Sequence, residues 1–312
     1  MSISESSVPE SAVRGQAIYF YFAPAAWVLF LFWLPVVFAF DRWAGIVCMV
    51  FPGLWLFTWL GYLMHECWHK YVPNINNRLF YNINALLILT DPQLYSIIHG
   101  THHSGVHTWG DIEFHPFGEV GSRPLRIALN LCEIVFGVAF MMVAGSAVVP
   151  ADERFREKYR RWKLPFSLLL CGAVYGGIGS LSGMMFGIAA GNVVLSYALM
   201  IWLGSFVLHQ SQLIEHGNLI VDGDFHHRNV RSRNLLPAGI PEKLFLFLTH
   251  DDSREHVLHH TLTKVYSRPF PGTVPLPSEA TVISFAQFAR VLGRMLSGTV
   301  DRVRPDAPPE VR

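Results

Sequence analysis

Three long runs without charged residues constrain the fold of this chain more than any other feature. The first, Ile18 to Phe40, would extend about 35 Å as a helix, which exceeds the ~30 Å hydrocarbon core of a bilayer. Trp43 to Met64 is a second such run, and only Asp41 and Arg42 separate the two. Phe166 to Leu208 is also uncharged and is about twice as long as one span needs. The sequence therefore predicts two helical membrane hairpins.

Composition and the N-terminus narrow the class of protein further. Hydrophobic residues make up 51% of the chain, charged residues 15%, and the formal net charge is +1. These values argue against a nucleic-acid-binding surface and against a disordered acidic chain. Because no basic region precedes the first apolar run, we expect an uncleaved anchor rather than an export signal. We predict an N-terminal tail of residues 1–17, a membrane domain of residues 18–275 and a C-terminal region of residues 276–312.

Charge also predicts the orientation of the spans. A basic segment precedes the third apolar run and consists of Arg154, Arg156, Lys158, Arg160, Arg161 and Lys163. The positive-inside rule places such a segment in the cytoplasm. With a cytoplasmic N-terminus, each hairpin then returns its following histidines, His65 and His69 or His209 and His216, to the cytoplasmic side.

The run from Leu125 to Val149 would upset this orientation if it crossed the membrane once. Glu133 in its middle would cost ~2.5–3.5 kcal/mol at the bilayer centre. We therefore predict an in-plane or re-entrant helical piece here. The predicted fold is an all-α integral membrane protein with about four spans in two hairpins and a cytoplasmic histidine-rich cap.

The C-terminal region predicts an amphipathic helix followed by a tail. Ser278 is a candidate cap for a helix from Glu279 to Leu296. Its predicted apolar face consists of Val282, Phe285, Phe288, Ala289 and Leu292. The proline-rich, charged segment from Ser297 to Arg312 is typical of disorder.

Histidine is the residue type most suggestive of chemistry, because the chain has 15 and most of them are clustered. His65 and His69 are four apart, so both project from one face of a helix. With Glu66 they also spell HExxH, the signature of zinc metalloproteases. A membrane protease is therefore one alternative, although a catalytic zinc takes only three protein ligands and a water molecule.

Two further groups of histidines have the spacing i, i+3, i+4. They are His99, His102 and His103, and His256, His259 and His260, each placing three imidazoles around one helical turn. His216 follows Glu215 and lies two turns after His209, which we interpret as a polar residue at the membrane edge. The predicted metal ligands are His65, His69, His99, His102, His103, His216, His256, His259 and His260. The other isolated histidines, His107, His115, His226 and His227, have no such geometry and are assigned to the surface or to supporting positions.

Nine imidazoles shared by two ions give four or five protein ligands each, with positions left for oxygen. Imidazole suits iron, zinc, copper and nickel alike, so ligand type does not select the metal. The number of ligands and the lipid setting favour iron, because hydrocarbon chains react only with a strong oxidant. Nearby carboxylates could hold the far ring N–H groups of ligating histidines, namely Asp111, Glu113, Glu215, Asp251, Asp252 and Glu255.

These motifs resemble those of the membrane fatty acid desaturases and the related membrane alkane monooxygenases and hydroxylases. The resemblance is carried by residues 65–69, 99–103, 111–113, 215–217 and 256–260 and covers roughly residues 20 to 275. It implies a helical membrane fold, a cytoplasmic di-iron centre, activation of O2 and electrons from a ferredoxin, rubredoxin or cytochrome. The chain has Asp252 to Glu255 ahead of the last cluster, where the family usually has a tyrosine or asparagine-tyrosine.

The expected function is an O2-dependent di-iron desaturase acting on a fatty acyl or similar lipid chain. A di-iron hydroxylase or monooxygenase of an alkyl chain is the first alternative, because both outcomes use the same ligands. The HExxH zinc protease is the second, and a non-catalytic metal carrier is the third. Metal content distinguishes the classes: two irons for the oxidoreductases, one zinc for the protease and labile metal for the carrier.

Overall fold

The protein is mostly helical, and this computed structural model describes residues 17–70, 72, 74–261 and 275–304. The helices are α1 (Ala17–Phe40), α2 (Arg42–Cys48), α3 (Leu54–His69), α4 (Asn77–Leu87), α5 (Pro92–Gly105), α6 (Arg123–Phe136), α7 (Val138–Val148), α8 (Lys163–Phe186), α9 (Ala190–Glu215), α10 (Phe225–Val230), α11 (Ile240–Leu248), α12 (His256–Thr261) and α13 (Phe285–Ser297). A π-helical segment, Met49–Gly53, joins α2 to α3, and a 3₁₀ turn, Asp252–Arg254, precedes α12.

Four helical segments of the described chain are long and apolar enough to cross a membrane. They are Tyr21–Phe40, Arg42–His69, Lys163–Phe186 and Ala190–Glu215. The predicted hairpins are thus confirmed as helix pairs. Asp41 forms the first turn, because its side chain accepts the backbone N–H groups of Trp43 and Ala44 at 2.8 and 3.2 Å.

The second hairpin turns at Gly187, whose φ of +66° ends α8 in a left-handed conformation. Polar contacts between the two hairpins are buried in an otherwise apolar bundle. Trp27 Nε1 donates to the hydroxyl of Tyr175 at 3.1 Å, and the hydroxyl of Tyr197 donates to the carbonyl of Leu31 at 2.6 Å. These contacts tie α1 to both helices of the second hairpin.

The run from Leu125 to Val149 consists of two short helices, α6 and α7, which meet at Gly137. The φ of Gly137 is +55°, and a Cβ there would lie 2.3 Å from the carbonyl oxygen of Ser205. Only glycine fits this conformation and this close approach to α9. α7 is about 16 Å long, so it cannot cross a ~30 Å core alone.

The C-terminal region differs from the sequence prediction in three respects. The helix α13 begins after Ser284, which forms a capping box with Gln287, so the predicted start at Ser278 and Glu279 is wrong. Strand β3 (Thr281–Ile283) occupies the preceding residues and pairs in parallel with β2 (Arg233–Leu235). Val282 therefore belongs to a strand.

The predicted disordered tail is also partly ordered. Strand β4 (Asp301–Val303) pairs in parallel with β1 (Leu219–Val221), and residues 305–312 lie outside the described part of the chain. The fold is consequently mostly helical rather than all-α. These strands were missed because three residues show no periodicity and each strand pairs with a partner far away in sequence.

Candidate metal centre

All nine predicted metal ligands lie together, in two neighbouring clusters. The first histidine cluster consists of His65, His69, His99, His103 and His259, whose ligand atoms lie within 4.8 Å of one another. The second histidine cluster consists of His102, His216, His256 and His260. His209 belongs to neither.

Local capping residues determine where the helices that carry the histidines begin or end. α3 ends at His69 because Lys70 adopts a left-handed conformation, with φ of 67°. α5 begins with Pro92 at its first turn and with Asp91 as its cap, which accepts the N–H of Leu94 at 2.6 Å. These signals fix the two helices that carry five of the nine histidines.

Helical spacing divides each histidine triad between the clusters. On α5, His99 and His103 are four residues apart and face the first cluster, whereas His102 faces the second. On α12, His259 joins the first cluster, whereas His256 and His260 join the second. The same two helices therefore contribute to both sites and fix their separation.

In the second cluster, hydrogen bonds determine which ring nitrogen carries the proton. His102 Nδ1–H donates to Asp111 Oδ2 at 2.8 Å, and His260 Nδ1–H donates to Asn229 Oδ1 at 3.1 Å. Each bond leaves the Nε2 atom of its ring with a free lone pair. These two Nε2 atoms lie only 3.3 Å apart, although neither has a proton to donate in its neutral form.

The Nε2 atom of His216 is also left with a free lone pair, and His107 is the residue that determines this. His107 Nδ1–H donates to the carbonyl oxygen of Arg228 at 2.9 Å, so its Nε2 accepts from His216 Nδ1, also at 2.9 Å. His216 Nε2 then faces the Nε2 atoms of His256 and His260 at 2.8 and 3.1 Å. His256 Nδ1 lies 3.3 Å from Glu215 Oε2. Convergence of neutral imidazole lone pairs is the donor set that a transition-metal ion requires.

The first cluster has the same organisation. His99 Nδ1–H donates to Glu113 Oε2 at 3.0 Å, which directs His99 Nε2 toward His69 Nε2 and His103 Nε2 at 3.4 and 3.0 Å. His259 Nε2 lies 3.2 Å from His103 Nε2.

Aromatic side chains hold two rings of this cluster in place. Tyr95 stacks on His99, with ring centroids 5.1 Å apart and planes at 11°. Trp68 stacks on His103 at 5.8 Å and 10°. Because these contacts restrict ring rotation, the imidazoles are held in a ligand geometry by their surroundings.

Among the carboxylates named from the sequence, Asp111, Glu113 and Glu215 lie 2.8, 3.0 and 3.3 Å from ring nitrogens of cluster histidines. Asp251 instead lies 4.0 Å from Arg254. No sequence pattern indicates Asn229, which lies in α10 and reaches His260 through the fold alone. His107, predicted to lie at the surface or in a supporting position, is buried and contacts His216, and it continues the four-residue spacing of His99 and His103.

The electrostatic environment favours the neutral, metal-binding form of most rings. Burial, followed by neighbouring imidazoles, lowers the pKa of His103 to about 2 and holds that of His99 well below its usual value. The same two causes lower the pKa of His216, His256, His259 and His260. Burial also lowers the pKa of His102, but Asp111 outweighs it and raises the net value. A carboxylate that favours a proton on this ring also favours a metal ion there.

The remaining histidines have separate environments. His209 is fully buried and lies 3.2 Å from Glu133 Oε1 and 2.8 Å from Gln212 Oε1. Both of its ring nitrogens are therefore engaged away from the clusters. His226 is exposed, and His115 packs against Trp109 with ring centroids 4.8 Å apart.

An apolar cavity borders both clusters. Its wall is formed by side chains of α3, α7, α9 and the end of α4, including Tyr62, Met64, Ile88, Met141 and Leu208. The cavity is also lined by polar side chains, namely His65, His99, His102, His216, His256, Glu113, Gln212, Glu215 and Asp252. The cavity thus brings an apolar wall next to the histidine clusters.

Together these features define an integral membrane protein whose helices carry a histidine-rich centre that could bind metal. The family model for fatty acid desaturase matches residues 41–268, and the chain belongs to this family. The match includes all nine cluster histidines. Comparisons with curated proteins and with solved structures found no match. Family membership makes the chain an oxidoreductase that modifies fatty acyl chains at a membrane.

Proposed function

We propose that the protein is an O2-dependent di-iron desaturase that introduces a double bond into a fatty acyl or similar lipid chain. One observation carries the proposal: two clusters of Nε2 lone pairs converge beside an apolar cavity. The first histidine cluster would hold one iron ion and the second histidine cluster the other. When bound, the two ions would supply the activation of O2 that removal of hydrogen from an alkyl chain requires.

The protein's own residues orient the centre and the substrate. Asp111, Glu113 and Asn229 hold ring N–H groups, so three of the imidazoles present Nε2 without rotation. The apolar wall, which includes Tyr62 and Met141, would bury an alkyl chain and exclude water from its reacting carbons.

Desaturation also requires an electron donor. Reduction of O2 to two water molecules takes four electrons, of which two come from the two C–H bonds that are broken. The other two must come from outside, so we propose a ferredoxin, rubredoxin or cytochrome as the partner.

The alternatives share parts of this centre. A hydroxylase or monooxygenase would use the same ligands, and products alone distinguish it. A HExxH zinc protease fits less well, because His65 and His69 share their cluster with three further histidines. A catalytic zinc takes three protein ligands and keeps an open position.

We also propose that the centre lies in the membrane domain of residues 18–275 and faces the cytoplasm. The basic segment Arg154 to Lys163 precedes the apolar part of the third span, and the positive-inside rule places such a segment in the cytoplasm. Reporter tags after Gln16, within this basic segment and after Arg312 should all report the cytoplasm. An external tag in the basic segment would contradict this topology.

The decisive test is product analysis of cells that express the protein. We expect new unsaturated acyl chains in cells with the wild type and about two irons per purified chain. His259→Ala should abolish the product, because it removes a ligand of the first cluster. His226→Ala is the matched control, because this histidine is exposed and belongs to neither cluster, and should retain activity. Hydroxylated products would favour the alternative, and unchanged activity in His259→Ala would overturn the ligand assignment.

A further inference from the structure

The helix α11 carries an exposed apolar stripe outside the four membrane spans. Ile240, Leu244 and Phe247 recur at helical spacing, and their exposed fractions are 82%, 44% and 60%. Leu236, in the loop that precedes α11, is also exposed. The other side of α11 is buried through Leu246. A helix between a protein and water shows the reverse pattern, with polar residues outward.

Contacts at the end of α11 attach it to the second span. The hydroxyl of Thr58 donates to the carbonyl oxygen of Leu248, and His250 Nε2–H donates to the carbonyl oxygen of Trp55 at 2.9 Å. The ring of Phe247 lies 6.5 Å from that of Trp55. One end of the stripe is therefore fixed against α3.

The position of these contacts along the span gives their depth. Thr58 lies about 24 Å along the helical segment from Arg42 and about 16 Å before His69. With a hydrocarbon core of ~30 Å, Thr58 falls inside the leaflet that is nearer to the metal centre. The end of α11 that carries Phe247 thus lies at membrane depth.

We propose that α11 is an interfacial helix, with Ile240, Leu244 and Phe247, and Leu236 of the preceding loop, seated in the phospholipid leaflet on the metal-centre side. Exposed Lys243 borders the stripe, where its ammonium group would reach lipid headgroups. Lipid is the occupant because the stripe begins at membrane depth. This placement holds whatever reaction the centre performs.

α11 lies close in sequence to the helix that carries the last three histidines. Only residues 249–255 separate α11 from α12, which carries His256, His259 and His260. In this connection Ser253 donates to Glu215 Oε1 at 2.7 Å. Lipid contact would therefore anchor the segment that brings the last three histidines to the centre.

Spin labels can test this placement in the full-length protein. Single cysteines at positions 240, 244 and 247 would be labelled with a nitroxide after Cys48 and Cys132 are changed to serine. The other two cysteines, Cys67 and Cys171, are buried. The labelled proteins are reconstituted in phospholipid vesicles, and collision with O2 is compared with collision with a water-soluble nickel complex. Leu169, 72% exposed on the third span, is the lipid-facing control, and exposed Glu119 is the water-facing control.

We expect the ratio of O2 to nickel collision at all three positions to be severalfold above that at Glu119 and to approach that at Leu169. A ratio equal to that of Glu119 would overturn the proposal, because it places α11 in water. Low collision with both reagents would also overturn it, because it indicates a protein partner or a second copy. The control positions show that the reconstituted protein is inserted, so a failed fold cannot imitate either result.

Discussion

His107 Nε2 lies 2.9 Å from His216 Nδ1 and accepts a hydrogen bond from its N–H group. The acceptor role of His107 follows from its other nitrogen, which donates to the carbonyl oxygen of Arg228. A single backbone carbonyl therefore sets the tautomer of a candidate metal ligand through one intermediate ring. His216 Nε2 is left to point its lone pair into the second histidine cluster.

This relationship predicts that His107→Ala weakens metal binding without removing a ligand. Loss of such an orienting partner typically costs 10–100-fold in metal affinity. His107→Gln keeps an acceptor oxygen and should lose less. Titration of purified, metal-free protein with Fe²⁺ against a competing chelator measures the effect. His226→Ala is the control, and equal affinities in His107→Ala and His226→Ala would contradict the orienting role.

Removal of metal should destabilise the protein. A ligand that binds only the folded chain at 100 times its Kd contributes about 2.7 kcal/mol to the free energy of unfolding. We therefore expect chelation to lower the Tm of the detergent-solubilised wild type. His259→Ala should respond much less to the chelator, because its first cluster is already incomplete. A Tm that is independent of chelator in the wild type would refute metal binding as a source of stability.

The spans and the nine clustered histidines could be predicted from sequence because their signals are local. Uncharged runs and three- to four-residue spacings are visible in a single stretch of chain. The division of each histidine triad between two clusters was also implicit in the spacing, since His99 and His103 share one face of α5 and His102 lies to one side of it. The assignment of His102 to a separate cluster required its contacts with His216 and His260, which are distant in sequence.

The features that could not be predicted from the sequence depend on contacts between residues that are distant along the chain. Asn229 reaches His260 only because α10 packs on α12, and no local pattern marks this asparagine. The strands β3 and β4 form against partners that precede them by dozens of residues. The predicted start of the last helix failed because Ser278 and Ser284 are both plausible caps, and pairing of β3 decides between them.

The buried pair of Glu133 and His209 should contribute to stability. Glu133 lies in α6, and its carboxylate is 3.2 Å from Nε2 of His209 in the fourth span. Glu133→Ala leaves this nitrogen without its partner, which typically costs ~1–3 kcal/mol. Glu133→Gln keeps a polar side chain at the same length and should cost less. Thermal unfolding in detergent checks both, and equal Tm values for Glu133→Ala and wild type would exclude the contribution.

The metal-free protein should lose stability as the pH falls below about 6.5. The native pKa is lowered for His99, His103, His107, His115, His216, His256, His259 and His260, in each case first by burial. Between the lowered value and the ordinary value of 6.5, the unfolded chain binds more protons than the native chain. Their contribution is therefore present above pH 6.5 and lost below it, at up to ~1.4 kcal/mol per pH unit for each group.

Glu113 and His102 act in the opposite direction. Burial raises the pKa of Glu113 to about 7, and Asp111 raises that of His102 despite burial, so both contribute stability that is lost as the pH rises. The lowered histidines outnumber them, and the net effect is destabilisation in acid. Unfolding of chelator-treated protein between pH 5.5 and 7.5 measures the slope. A Tm that rises as the pH falls would show that the sign is wrong.

Glu66 separates the oxidoreductase from its protease rival. In a HExxH protease the glutamate polarises the attacking water, so Glu66→Gln removes nearly all activity while the metal stays bound. In the proposed desaturase, buried Glu66 follows the ligand His65 and supports the metal shell instead. Loss of such support typically costs 10–100-fold and leaves measurable turnover.

The measurement is O2-dependent product formation by purified Glu66→Gln protein with a supplied reductant, beside an iron and zinc assay. We expect residual desaturation and bound iron, because all nine histidines remain in place. His65→Ala, one residue away, is the matched variant that removes a ligand and should abolish turnover. One zinc per chain, no O2 consumption and a peptide-cleaving activity that disappears in Glu66→Gln would instead establish the protease.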